Sequence, residues 1–468
     1  MESGWTRVEK KYEALKQQLK QQLLTGKIRP GEKLPSIRTA SERWNCSMNT
    51  AIRAYQELEK EHLVYSVQKS GYYAVLRPQA VTRTGAGQGQ IDFSAASPDP
   101  EVMPYKDFQH CLNRAIELYE DQLFTYCDPQ GFYSLRRELE KHLAHSQVFA
   151  QPSMICVVSG SQQALHLLSS MPFPNGKSAV LVEQPTFHGM VRTLQLLGVT
   201  TYGIGRTTAG IDLDELEQQF RSKPIKFFYT MPRFHNPLGT SYGAEEKRQI
   251  ARLAERYGVF VVEDDYLADM ETSAKADPLY SYDLSGRVIY VKSFSKIMLP
   301  GLRLAAVVLP PAVMETFRLH KASADSSTSV LSQAALELYV NSGMYDHHAA
   351  MVRERYRTRM EALAAACRRH LDPSIQCPPA HGGIFTTIVL PKELDAHDVI
   401  AALHQQHVSV RSTDQNYLPG FGRDNGLRLS IIQTDTDKIE QGIALIAEAC
   451  RKLLQKRKQE VAWRIRRE

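Results

Sequence analysis

Residues 289–306 read IYVKSFSKIMLPGLRLAA. Ile289, Tyr290 and Val291 make the β-branched and aromatic run expected of a buried strand. The run breaks into Ser293-Phe294-Ser295-Lys296, turns at Pro300-Gly301, and presents Arg303 seven residues after the lysine. Two cations at the mouth of a core are costly unless a ligand meets them. A lysine amine reacts with an aldehyde to form a Schiff base, and a guanidinium suits a phosphate.

Four further runs of this kind lie upstream: ICVVSG (155–160), AVLVEQP (179–185), KFFYTMP (226–232) and VFVVEDD (259–265). Between them come helical stretches such as SQQALHLLSS, FHGMVRTLQLLG and AEEKRQIARLAERYG. Strand–helix alternation predicts an α/β body with a largely parallel sheet, and ligands collect where such strands end. The first run ends in Ser159-Gly160-Ser161-Gln162, a helix start able to hold an anion. The second delivers Phe187, the third Asn236 in a Pro-bracketed loop, the fourth Asp264 and Tyr266, and the last Ser293, Lys296 and Arg303. Taken singly, each has a plain alternative: a common Gly-Ser turn, a packed core aromatic, a proline turn. Taken together they describe a ligand with a phosphate, a flat ring, a protonatable ring nitrogen and an aldehyde. That ligand is pyridoxal 5′-phosphate.

The same residues in the same order make 92–450 resemble the fold-type-I aminotransferases of the aspartate aminotransferase class. The resemblance implies a C-terminal α+β subdomain and assigns roles. Lys296 is the Schiff-base lysine, and Asp264 pairs with the pyridine nitrogen, with Asp265 beside it left open by the EDDY spacing. Tyr266 and Asn236 bond the phenolic oxygen, and Phe187 stacks on the ring. Ser161, Gln162, Ser293 and Arg303 hold the phosphate, joined by Tyr126 from the other subunit of a homodimer. Arg428, in NGLRLSI, binds a substrate or effector carboxylate.

The first 76 residues are different. Tyr12, Leu15, Leu19 and Leu23 fall at helical spacing, and Gly26 ends that helix. Ser36 caps a short second helix and Ser47 a third, whose inner stripe is Ala51, Tyr55 and Leu58. Two short β-rich runs around Lys69-Ser70-Gly71 then read as a hairpin. Three helices and a hairpin make a small α+β winged helix-turn-helix, whose third helix enters the major groove of duplex DNA. Arg38, Arg53 and Lys69 are expected at phosphates, with Asn49, Thr50 and the capping Ser47 at the base-reading end. GKIRPGEKLPSIRTASERWNCSMNTAIRAYQELEKEHLVYSVQKSGYYAV resembles the DNA-binding domain of the GntR family of bacterial regulators. Met48 stands where that family usually carries an arginine.

Charge follows the same division. Residues 1–83 hold 15 Lys/Arg against 8 Asp/Glu, residues 451–468 hold 8 against 2, and the stretch between carries a net of −7. A basic head on an acidic body suits a nucleic-acid module joined to something else. Residues 77–91 (RPQAVTRTGAGQGQI) read as a flexible linker. Residues 451–468 read as a basic helix end or tail. Seven scattered cysteines without a CxxC pair indicate neither a disulfide framework nor a zinc site, so no metal is expected. No apolar run is long enough to span a bilayer and no signal core opens the chain, which predicts a cytoplasmic protein, at the nucleoid when on DNA.

A GntR-type head on an aminotransferase-like body resembles the MocR subfamily of bacterial regulators. The resemblance implies a homodimer that binds an operator and senses the cofactor vitamer, an amino acid or an amine through an aldimine on Lys296. The alternative is an active pyridoxal-phosphate aminotransferase, alone or combined with DNA binding.

Overall fold

The computed structural model describes residues 7–29, 31–61, 63–67, 70–75, 90–273, 276–378 and 382–465. The chain divides into two compact units, Met1–Gln88 and Gly89–Glu468.

In the first unit, helices Arg7–Leu24, Ile37–Arg43 and Met48–Lys60 precede an antiparallel hairpin, Val64–Val67 with Gly71–Ala74. Both expected caps form: Ser36 Oγ accepts from the Thr39 amide at 3.1 Å and Ser47 Oγ from the Thr50 amide at 3.1 Å. Each satisfies an amide that the helix leaves without a partner. Leu15 and Leu19 of the first helix close on Ala51, Ala54, Tyr55 and Leu58 of the third, all buried. The Tyr55 hydroxyl, buried in that core, donates to the Pro35 carbonyl at 2.7 Å. Lys69 and most of the expected linker (residues 77–89) lie outside the described residues.

The second unit is built on an eight-stranded sheet. Its spatial order is Ile155–Val158, Ala305–Val308, Val288–Ser293, Phe260–Asp264, Ile225–Thr230, Ala179–Gln184, Thr201–Thr207 and Gly210–Ile211. The central pairings are parallel; Ala305–Val308 runs antiparallel to both its neighbours, and Gly210–Ile211 antiparallel to its one. Six of these strands are buried along their whole length on both faces, including Val288–Ser293. That is why their sequences read as unbroken apolar runs rather than alternating ones.

A second, antiparallel sheet of Phe385–Val389, Gly426–Ser430 and Arg411–Ser412 forms the C-terminal part, reached through the 27-residue helix Met344–His370. The start of the unit is stitched into it: Ile91–Asp92 pairs in parallel with Val408–Ser409, and the Ser430 amide donates to the Phe93 carbonyl at 2.9 Å. Ile91 was expected as the last linker residue; it is buried and strand-paired instead, because an apolar side chain there completes the core. Residues 451–465 of the basic C-terminal run belong to the helix Thr436–Ile465, and residues 466–468 lie outside the described residues. No described helix is long and apolar enough to cross a membrane.

Candidate cofactor site and nucleic-acid surface

The carboxyl ends of five sheet strands converge on a cavity of about 180 Å³. Ser161, Gln162, Phe187, Asn236, Asp264, Tyr266, Ser293, Lys296, Arg303 and Arg428, proposed from sequence, all line it.

Asp264 ends its strand buried at 3% exposure. Its Oδ2 accepts from the Tyr229 hydroxyl at 2.8 Å, while Oδ1 is buried without a protein partner. Burial is the largest influence on this carboxyl and pushes its pKa up to about 7. Asp265 faces away and is committed elsewhere: it is ion-paired with Arg233 and accepts from the Tyr290 hydroxyl at 2.8 Å. The geometry therefore places Asp264, not Asp265, at the cavity. Lys296 lies in the loop after the next strand, with Nζ donating to the Ala96 carbonyl. Burial, then the Arg428 charge, draws its pKa down to about 8, which leaves more neutral amine near neutral pH.

At the other end of the cavity the helix Ser161–Ser170 presents its free amides, with Gly160 as N-cap at φ +84°. A Cβ on Gly160 would overlap the Arg303 guanidinium, so the glycine is required both by its backbone and by the arginine lying against it. Arg303 has no carboxylate partner among the described residues. Ser293 and Ser295 stand beside it. Gln162 also touches this cavity, but its amide nitrogen is engaged by the Thr193 hydroxyl at 2.7 Å.

Arg428 comes from the three-stranded sheet. It is 4% exposed, bonds the Ser94 carbonyl at 3.2 Å, and keeps a buried Nε without a partner. Asn236 Oδ1 is likewise buried and unpartnered. Buried polar atoms are normally satisfied, so three such atoms around one cavity ask for a polar ligand. Pyridoxal phosphate would answer the atoms of Asp264 and Asn236: Asp264 suits its ring nitrogen, Asn236 its phenolic hydroxyl, Phe187 its ring face, and Arg303 with the helix amides its phosphate, while Arg428 is left for another anion. The Tyr266 hydroxyl, expected at the phenolic oxygen, donates instead to the Phe234 carbonyl at 2.7 Å.

Tyr126 is not part of this assembly within one chain; it is 89% exposed. Sequence reasoning missed His188, Phe385 and Ala96, which also line the cavity. His188 adjoins Phe187 in TFHGM, and that adjacency was the available signal. It also missed Tyr229, hidden in the apolar run KFFYT. Behind the Asn236 loop, Glu183 accepts from Arg206 at 2.5 Å, Thr230 at 2.7 Å and the Met231 amide at 3.1 Å, and from the Tyr242 hydroxyl. His235 Nε2 lies 3.2 Å from the same carboxylate. This buried network holds the loop from its back.

On the head, Ser47 and Asn49 are exposed at the start of the third helix, beside Met48 at 53%. Arg53 is exposed and lies over the Tyr12 ring, 4.4 Å from its centroid. Arg38 is exposed and pairs with Glu42 at 3.2 Å. Thr50 requires a correction: it is 6% exposed, with its hydroxyl 2.8 Å from Ser47 Oγ. It sits one residue before Ala51 on the inner side of the helix, and closes the cap rather than facing a base edge. The hydroxyl of Ser47 is spent on that cap.

Comparison with known proteins agrees with both halves. Residues 89–446 match the family "Aminotransferase class I and II" and residues 11–73 match "Bacterial regulatory proteins, gntR family". The chain is 47% identical to the uncharacterized HTH-type transcriptional regulator YcxD of Bacillus subtilis, over 93% of this chain and 99% of that protein. It is 28% identical to the probable rhizopine catabolism regulatory protein MocR of Rhizobium meliloti, over 76% and 77% of the two chains. The crystal structure of Pyrococcus horikoshii kynurenine aminotransferase, in complex with PMP, is 27% identical. It superposes with a TM-score of 0.73 over 78% of this chain and 91% of that one. The chain therefore belongs to the MocR-type transcriptional regulators, in which a gntR-family DNA-binding head is joined to an aminotransferase class I and II body.

Proposed function

We propose that this protein regulates transcription by binding an operator through its head and an amino compound through pyridoxal phosphate held in its body. The observation that carries the reading is the unpartnered, buried Oδ1 of Asp264 facing Lys296's cavity in a chain that also carries a gntR-type head. When bound, the cofactor supplies an aldehyde carbon for the Lys296 amine and a ring that draws electrons from it. Asp264 keeps the proton on the ring nitrogen, and Arg303 and the helix amides anchor the phosphate. Arg428 offers the carboxylate of an amino acid a buried guanidinium. A ligand that displaces Lys296 and engages Arg428 changes what holds the two sheets of the body together, and so biases the DNA-binding state.

A homodimer is part of the proposal. Phe124 and Tyr126 are 70% and 89% exposed, and Tyr133 is 60% exposed. Such a group of aromatics favours burial against a second copy, with Tyr126 directed to the partner's phosphate. The complete cofactor cavity also supports a second reading, aminotransferase activity. One experiment separates them. Holo-protein on the DNA upstream of its own gene is titrated with amines and amino acids while cofactor absorbance is followed. A compound that moves both signals supports regulation. Turnover with an added keto acid while DNA binding stays indifferent supports the enzyme.

A further inference from the structure

The three-stranded sheet carries more positive charge toward the cofactor cavity than one carboxylate needs. Across it, Thr387, Arg428 and Arg411 stand in one row: Thr387 is opposite Arg428, and Arg428 is opposite Arg411. Residues directly opposite share a face of the sheet. Leu427 and Leu429, which alternate with Arg428, are wholly buried on the other face. Since Arg428 lines the cavity, Arg411 projects to the same side, at the more exposed edge.

Like charges directly opposite on neighbouring strands are destabilising unless an anion lies between or beside them. Among the described residues no carboxylate stands within ion-pair distance of either arginine, and beyond its strand pairing Arg411 makes no side-chain hydrogen bond. His188 also lines the cavity, and the exposed Arg192 follows it one turn along the same helix, again cationic or neutral. Asp414, the nearby acid on the His188 side, is held by His397 at 2.8 Å. The mutual influence is visible in the groups themselves. Burial and then Arg411 bring the Arg428 pKa down to about 10. Burial, then Arg428, Arg411, Lys296 and Arg192, bring His188 down to about 4.

We infer that Arg411 is the seat for a second acid group, so that the effector is an amino acid carrying two carboxylates, one at Arg428 and one at Arg411. The inference rests on the reading of the cavity as a cofactor-dependent sensor. It adds the class of ligand: acidic amino acids over their neutral isosteres.

The test is a titration of the holo-protein, followed by cofactor absorbance, with L-glutamate, L-aspartate, L-glutamine and L-norvaline. A charge-assisted contact at Arg411 predicts a glutamate-over-glutamine preference of about tenfold or more. In Arg411→Gln that ratio collapses toward one, and Arg411→Lys restores part of it. Arg411 lies on an exposed edge strand, so the folded state of each variant is checked by its unchanged thermal transition. Clear absorbance changes with a wild-type ratio near one overturn the second-acid assignment alone. So does an R411Q ratio equal to wild type. If none of the four alters the cofactor spectrum while another amine or amino acid does, this assignment falls and the sensing reading stands; if no amino compound alters it, both fall.

Discussion

Tyr229 donates to one oxygen of Asp264 at 2.8 Å and leaves the other facing the cavity with no protein partner. A single neutral donor does not offset burial, so the carboxyl's pKa is lifted from 3.8 to about 7. Between those values the cofactor-free folded protein holds a proton that the unfolded chain has released. This group's contribution to stability is therefore present below about pH 3.8 and lost as pH rises through about 7. Thermal melts of the cofactor-free protein should drop more between pH 5 and 8 than those of Asp264→Asn. Pyridoxal phosphate, by placing a cation at Oδ1, should abolish the difference. Parallel decline of the two proteins without cofactor would count against this role for Asp264.

Lys296 is the amine placed at the cavity, and its pKa of about 8 favours reaction. Borohydride treatment of the holo-protein should fix the cofactor to the peptide containing Lys296, read by mass spectrometry. Lys296→Ala should give no adduct and no change of absorbance with amino acids. An adduct on another lysine would relocate the site.

Glu183 and Arg206 are an ion pair with no solvent exposure of consequence. Removing one member strands the other, at a cost of about 3–5 kcal/mol. Glu183→Gln should lose that much in denaturant unfolding and weaken cofactor binding, since the network backs the loop carrying Asn236. The double variant with Arg206→Met should be less destabilised than the two singles summed. Strict additivity would show that the pair does not act as a unit.

Arg38 and Arg53 are exposed on the second and third helices of the head. If each meets one phosphate, replacing both by alanine lowers the slope of log K against log salt by about 2. A weakened complex with an unchanged slope would remove them from the DNA backbone.

Phe124 and Tyr126 are strongly exposed aromatics of the body. Sedimentation should give two chains per particle, and Phe124→Asp should shift the equilibrium toward one. Wild-type protein that sediments as a single chain with cofactor bound would reject the homodimer and Tyr126's role in it.

The cofactor cavity was legible because a charged or polar residue after a doubly buried strand is conspicuous: Asp264, Lys296 and Arg303 each interrupt an apolar stretch. The alternation of strands and helices was legible for the same reason. What hid were polar groups inside the strands. Tyr229 and Glu183 sit in runs buried on both faces, where no period of two separates inside from outside. The choice between Asp264 and Asp265 needed Arg233, 32 residues before Asp265 and invisible as a partner until the chain folds. Thr50 was misread because it lies at the border of the inner helical stripe, where capping and burial claim a side chain that spacing alone leaves free.

Lys296 is carried by the eight-stranded sheet and Arg428 by the three-stranded one, and no strand belongs to both. A molecule that reaches from one to the other is a removable crosslink whose length works as a ruler. Agonism at such a site would be decided by how much better a ligand's span suits one arrangement of the sheets than another, not by how tightly it binds overall. A tight ligand confined to one sheet would occupy the cavity, exclude the effector, and send no signal.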